Sequence, residues 1–216
     1  MSTARTSSRH TAADYATWSG DWELHAGEAI AMTPSPFGRH GELLARMAAV
    51  LCNAIDAAGC NATVLAEVDW IVNEKTVVRP DLAVICGAAP AGHLTSAPAF
   101  IVEVLSESTR SRDLAFKQSL YASEGVGWYL TLDATNAKPP SEAAGSPLAL
   151  RRLCEPSSAV GPVANRPLPS IAAGNAASGY RPVATDTPPT VALCPGCTIA
   201  PDLSRLTRQP YAEHEQ

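Results

Sequence analysis

The sequence has no apolar run of about 20 residues, the length that an α-helix needs to cross a bilayer. Its first residues also lack the apolar core of a signal peptide. These absences lead us to expect a cytoplasmic protein with no membrane contact. In that compartment the six cysteines, at positions 52, 60, 86, 154, 194 and 197, are expected to be free thiols.

Basic residues are scarce as well. Lys and Arg number 16 against 21 Asp and Glu, so the formal net charge is −5 with His neutral. This balance argues against a protein that coats nucleic acid through bulk positive charge. It does not exclude a nuclease, because a bound metal ion can supply positive charge where phosphate binds.

A second close pair of metal-ligating residues is missing beside Cys194-Pro-Gly-Cys197. The spacing suits half a zinc site or a redox motif, but a structural zinc needs four ligands. Pro195 and Pro201 do not indicate the strand–helix setting of a thioredoxin-like unit. The sequence therefore favours a chance spacing of Cys194 and Cys197 in a C-terminal strand or loop. A thiol redox protein built on this pair is a further, less favoured functional hypothesis.

The length of 216 residues suits one domain. We predict a loose polar tail at residues 1–13 and a single domain at 14–216. More than half of residues 134–177 are Ala, Pro, Gly or Ser and none is aromatic. Such a stretch buries little surface, which predicts a mobile insertion with one short strand at Leu148–Leu153.

The hydrophobic periodicity predicts an α/β fold, a central mixed sheet flanked by helices. The predicted helices are Tyr15–Ser19, Arg39–Ala58 and Thr109–Glu124, with a last turn near residues 199–206. The predicted strands are a hairpin within Trp22–Met32, then Thr63–Val72, Val77–Cys86, Ala99–Leu105 and Gly127–Asp133, with short strands at Tyr180–Ala184 and Thr190–Leu193.

Two carboxylates occupy strand positions where apolar residues belong. Asp81 begins the apolar segment Leu82–Ile85, and Glu103 lies inside Phe100–Leu105. A lone buried carboxylate is costly unless it is paired, protonated or bound to a metal. A buried ion pair explains one such residue equally well, but two on nearby strands favour a shared metal ion.

Lys117 falls in the middle of the apolar face of the second long helix, and Asp113 lies one turn before it. An exposed Asp113–Lys117 pair is the alternative, but the apolar setting favours an inward-pointing lysine. Two acids and a lysine suit phosphodiester hydrolysis with Mg²⁺ or Mn²⁺. We expect Lys117→Ala to leave folding largely intact while slowing the chemical step.

Several segments in this order resemble the Uma-type ("Uma two") restriction endonuclease group of the PD-(D/E)XK nuclease superfamily. They run from about Tyr15 to Asp133 and comprise Trp22–Glu28, Met32–Pro36, His40, Arg79–Val84 and Val102–Thr109, continued by Asp113, Lys117, Tyr121 and Gly125-Val126. The resemblance implies a restriction-endonuclease-like fold and a metal-dependent nuclease acting on DNA.

The resemblance carries Asp81, Glu103 and Lys117 over as the catalytic set, with the two acids as metal ligands. In the superfamily the lysine usually stands two residues after the acid, where this chain has Leu105, and Lys117 is expected to replace it from the next helix. The supporting candidates are His40, Glu42, Ser106 and Asp113, for which capping, packing or solvation are open alternatives.

An alternative function is a catalytically inactive module of the same fold that binds nucleic acid or protein, which the acidic net charge favours. A homodimer would suit cleavage of both DNA strands.

Overall fold

A computed structural model describes residues 9–32, 38–105, 110–134, 148–153, 180–185 and 187–206. Within these ranges the helices are α1 (Ala12–Tyr15), α2 (Gly38–Ala57) and α3 (Arg110–Ser123), and a 3₁₀ turn spans Leu203–Leu206. The strands are β1 (Trp22–His25), β2 (Glu28–Ala31), β3 (Ala62–Ala66), β4 (Trp70–Asn73), β5 (Thr76–Val78), β6 (Leu82–Cys86), β7 (Phe100–Leu105), β8 (Trp128–Asp133), β9 (Leu148–Leu153), β10 (Tyr180–Val183), β11 (Val191–Cys194) and β12 (Cys197–Ile199).

The strands form a six-stranded sheet in the order β10-β9-β8-β7-β6-β3, a four-stranded sheet in the order β2-β1-β5-β4, and the hairpin β11-β12. In the six-stranded sheet β7 and β8 are parallel and the other neighbours are antiparallel. A parallel pair needs a crossover connection, and α3 supplies it. At the far edge, Tyr180 of β10 is directly opposite Leu153 of β9.

Helices α2 and α3 pack on opposite faces of the six-stranded sheet because strand side chains alternate between the faces. The α2 face is lined by the buried helix residues Leu43, Met47, Val50, Leu51 and Ile55, together with Leu82, Val84 and Val102. The α3 face holds Leu120 and Tyr121 against Ile101 and Tyr129. The predicted α/β class, with a central mixed sheet flanked by helices, is confirmed.

Two predicted strands are each divided in two, and these predictions were wrong. In the segment predicted as Val77–Cys86, Arg79 donates its backbone N–H to Glu23 Oε1 and Pro80 has no N–H, so the strand ladder stops. In the segment predicted as Thr63–Val72, Glu67 takes a left-handed φ of 49° and donates its N–H to the Asp81 carbonyl.

The first helix begins earlier than the sequence indicated. It spans Ala12–Tyr15 rather than Tyr15–Ser19, because Thr11 and Asp14 form a capping box. The Asp14 carboxylate accepts the Thr11 N–H at 2.8 Å, and the Thr11 hydroxyl accepts the Asp14 N–H at 3.2 Å.

Residues 1–8 of the predicted tail, and 135–147 and 154–179 of the predicted insertion, lie outside the described residues. The predicted strand Leu148–Leu153 is confirmed.

Four cysteines form disulfides, which contradicts the expectation of free thiols. Cys60 is bonded to Cys197 and Cys86 to Cys194. The partners are 137 and 108 positions apart in sequence, so only the folded sheet brings them together. Cys52 is a free, exposed thiol, and residue 154 is outside the described ranges.

In the part of the chain that the structure describes, no helix is long and apolar enough to cross a membrane.

Candidate active site

Asp81 and Glu103 lie side by side at one end of the six-stranded sheet. Leu82 pairs with Val102 in the antiparallel β6–β7 ladder, so the preceding Asp81 comes opposite the following Glu103. The backbone N–H of Val104 donates to Asp81 Oδ2 at 2.6 Å, which fixes the orientation of that carboxylate. The fold therefore brings the two sequence-predicted acids together.

Lys117 extends from α3 onto this end of the sheet and is 4% exposed. Its Nζ lies 3.2 Å from Glu103 Oε1 and 3.0 Å from Glu23 Oε1. The helix presents Lys117 inward because its neighbours Leu120 and Tyr121 bury the same face against the sheet. One ammonium is thus shared between two buried carboxylates.

Glu23 is the site residue that the sequence analysis missed. It belongs to β1 of the four-stranded sheet and is 4% exposed. Its carboxylate accepts the Arg79 N–H at 2.8 Å and lies 2.8 Å from His25 Nε2, as well as contacting Lys117. Burial opposes ionisation, but these three partners outweigh it and lower the pKa of Glu23 to about 2. The sequence did contain a signal for Glu23, namely a glutamate next to Leu24 inside a short predicted strand.

Glu103 has the opposite titration behaviour to Glu23. Burial raises its pKa to about 8, and the nearby Asp81 and Glu23 carboxylates add to the rise, while Lys117 and Tyr121 act against it. The Tyr121 hydroxyl donates to Glu103 Oε1 at 2.6 Å. Desolvation and the Glu103 charge raise the pKa of Tyr121, so its hydroxyl remains a donor at neutral pH.

His40 approaches the site from the first turns of α2. Its Nε2 is 3.6 Å from Asp81 Oδ1, and interaction with that carboxylate raises the pKa of His40 against the effect of burial. Its Nδ1 is buried and has no hydrogen-bond partner among the described residues. His40 therefore approaches the site, which was one of the interpretations that the sequence left open, the other being a role in capping and packing.

The other supporting candidates are not brought to this cluster by the described contacts. Glu42 pairs with Arg39 and Arg46 on the surface of α2, each at 2.8 Å, which is the solvated-face alternative. Ser106 lies outside the described residues, and Asp113 is in α3 with its side chain outside them. The Arg79 guanidinium forms ion pairs with Asp21 and Asp69, both at 2.7 Å.

The donor set of the cluster fits a hard divalent cation. Asp81 and Glu103 are neighbours across the β6–β7 ladder, and the Lys117 ammonium contacts Glu103 and Glu23. No group of three or more His, Cys, Asp or Glu among the described residues is arranged to hold a metal ion. A cation held between Asp81 and Glu103 would have two protein carboxylates, and Mg²⁺ is commonly bound through one or two carboxylates.

Comparison with known proteins agrees with the resemblance drawn from the motifs. The fold is similar to a crystal structure from Anabaena variabilis ATCC 29413, described as "a putative nuclease belonging to DUF820". The TM-score is 0.51 at 17% identity, covering 66% of this chain and 79% of that one, which supports a restriction-endonuclease-like fold. No curated protein matches the chain. Residues 12–139 match the family Uma2, described as "Putative restriction endonuclease". Because this match spans more than half of the sequence, the chain belongs to the Uma2 family.

Proposed function

We propose that this protein is a metal-dependent endonuclease that hydrolyses phosphodiester bonds in DNA. The observation that carries the proposal is the contact of Lys117 with Glu103, at the end of the sheet where Glu103 neighbours Asp81. Buried acids and a buried lysine are costly, and a reaction that needs them explains their presence better than stability does.

Asp81 and Glu103 would hold Mg²⁺ or Mn²⁺ in this proposal. The bound cation would neutralise phosphate charge and lower the pKa of a water molecule. The chain orients the acids in advance, since Val104 fixes Asp81 and Tyr121 fixes Glu103. Preorganised groups of this kind need little rearrangement when charge develops in the transition state.

Lys117 would stabilise the negative charge that grows on the phosphate oxygens or orient the attacking water. Glu23 acts through Lys117 as a positioning residue, because it contacts the same ammonium as Glu103. His40 lies against Asp81 Oδ1 and would limit the rotation of that carboxylate.

The test is cleavage of supercoiled plasmid with Mg²⁺ or Mn²⁺ by the wild-type protein and by Asp81→Asn. The matched control is Asp56→Asn, the same change at an exposed residue of α2. We expect Asp81→Asn to lower the cleavage rate by about 10²-fold or more, and Asp56→Asn to leave it unchanged. Equal cleavage by all three proteins would identify a contaminating nuclease and contradict the proposal.

The second candidate is the inactive binding module, which the net charge of −5 favours. It predicts no cleavage of single-stranded or double-stranded DNA with either cation, together with retained binding of a partner by Asp81→Asn. The two candidates give opposite results for the wild-type protein, which cleaves DNA in the first case and only binds its partner in the second.

A further inference from the structure

Four cysteines meet at the end of the six-stranded sheet away from Asp81 and Glu103. Cys86 is the last residue of β6, whereas Asp81 precedes its first residue. The Cα atoms are 5.3 Å apart in the Cys60–Cys197 pair and 5.9 Å apart in the Cys86–Cys194 pair.

The two bonded pairs are also neighbours of each other. Cys194 and Cys197 are opposite residues in the β11–β12 ladder, joined by a turn in which Gly196 takes a φ of 75°. Cys60 and Cys86 are held close because Ala62 pairs with Cys86 and the Gly87 N–H donates to the Asn61 carbonyl at 2.9 Å. Each cysteine therefore has two others beside it, which makes a four-cornered cluster, Cys60–Cys86–Cys194–Cys197.

We propose that this cluster, with both disulfides reduced, binds one Zn²⁺ as a structural site. Four thiolates suit tetrahedral zinc, and two ligands separated by two residues are typical of such sites. Sulfurs joined in disulfides are not thiolates and cannot ligate zinc in this way, so the site belongs to the protein with both disulfides reduced. The sequence shows no second close pair of ligands beside Cys194 and Cys197, which argued against a zinc site. In the folded protein Cys60 and Cys86 supply that second pair.

Reduction of the two disulfides consumes four electrons. Two equivalents of a trialkylphosphine supply them, each becoming a phosphine oxide with oxygen from water while four thiols form. Zinc binding then displaces the thiol protons into the solvent. Cys86 is exposed and gives the reductant and the metal a route to the cluster, while Cys197 is buried on the core side.

Both cysteine pairs link the β11–β12 hairpin to the rest of the protein. A two-stranded hairpin is marginal by itself in water, yet Val191, Leu193 and Ile199 bury their side chains in the core under α2. In the oxidised protein the disulfides attach the hairpin to the ends of α2 and β6, and zinc would replace both attachments after reduction.

The experiment uses full-length protein with Cys52→Ser and Cys154→Ser, so that only the cluster cysteines remain. Reduced with the phosphine under argon, this protein is titrated with Co²⁺ and then Zn²⁺. We expect one equivalent of Co²⁺ to give the thiolate-to-metal absorption and visible bands of a tetrahedral four-sulfur site, and one equivalent of Zn²⁺ to abolish them. The oxidised protein, titrated in the same way but without the phosphine, should give no bands.

A second pair of measurements separates binding from folding. The thermal midpoint of the reduced protein should rise with added Zn²⁺, whereas the oxidised protein should show no shift. Cys194→Ser with Cys197→Ser should remove both the Co²⁺ bands and the zinc-dependent shift. The proposal is overturned if the reduced protein shows no bands, if the double serine variant keeps them, or if reduced protein unfolds and zinc does not restore it.

Discussion

Replacement of Lys117 by Met tests whether one buried ammonium holds the site together. Methionine keeps most of the length and volume of lysine and removes the charge. The Lys117 side chain is 5% exposed, and its Nζ lies 3.0 Å from Glu23 and 3.2 Å from Glu103. At these distances two unit charges attract by about 5 kcal/mol with an effective dielectric constant of ~20, and desolvation of the charges offsets much of that.

The cost of the substitution comes mainly from Glu23. Glu103 contributes little to the cost, because its pKa of about 8 already favours the neutral acid at pH 7. Glu23 loses the cation that lowers its pKa most and keeps only His25 and the Arg79 N–H as partners, so its charge becomes costly in a buried place. We expect Lys117→Met to lower the free energy of unfolding by about 3 kcal/mol, at the lower end of the cost of breaking a buried ion pair. This value replaces the expectation, from the sequence, that folding would be largely intact.

The assay is urea unfolding followed by tryptophan fluorescence at pH 7 in EDTA. The matched control is Lys75→Met, the same substitution at an exposed lysine, which should change stability by less than about 0.5 kcal/mol. The double variant Lys117→Met with Glu23→Gln should be more stable than Lys117→Met alone, because it no longer buries the unpaired charge. A loss below about 1 kcal/mol, or costs that simply add, would refute the reasoning.

Three further predictions concern the same cluster and its surroundings. In EDTA the stability that Glu103 confers is fully present below its unfolded pKa of about 4.5 and is lost as pH rises through its folded pKa of about 8. The free energy of unfolding should fall by up to about 1.4 kcal/mol per pH unit in that window. Urea unfolding of Glu103→Gln at the same pH values should show no such decrease. Tyr121→Phe removes the hydroxyl that donates to Glu103, so the same titration should show the loss at higher pH than in wild type. Arg79→Ala leaves buried Asp69 without its guanidinium and should cost about 2 kcal/mol or more, whereas Arg205→Ala at an exposed ion pair should cost less than about 1 kcal/mol in the same denaturation assay.

Part of the candidate site was predictable because burial and polarity conflict locally. Glu103 lies among apolar strand residues, and Lys117 lies on the apolar face of a helix, so each stood out within its own element. The register that brings Asp81 opposite Glu103 also follows from neighbouring antiparallel strands. The positions of β9 and α2 were also predictable from local sequence, because the pattern of apolar residues lies within each element.

The parts that the sequence did not reveal depend on contacts between distant elements. Glu23 belongs to a different sheet from Glu103, and nothing within β1 identifies Lys117 as its partner. The division of the predicted strand at Arg79 has the same origin, because the Arg79 N–H leaves the ladder to bind Glu23. Local propensity contains no information on either contact, and tertiary structure decided both.

The pairing at the edge of the six-stranded sheet has a consequence for how long the chain needs to be. Leu153 and Tyr180 are directly opposite each other, so the two strand ends on either side of positions 154–179 are only about 5 Å apart. The entropy of closing such a loop grows slowly with its length. A two-residue Asn-Gly turn would connect the same strands and reduce the closure cost by roughly 2 kcal/mol. The ends of β9 and β10 at Leu153 and Tyr180 are thus a point at which a short turn or a second domain could be joined, away from the end of the sheet that holds Asp81 and Glu103.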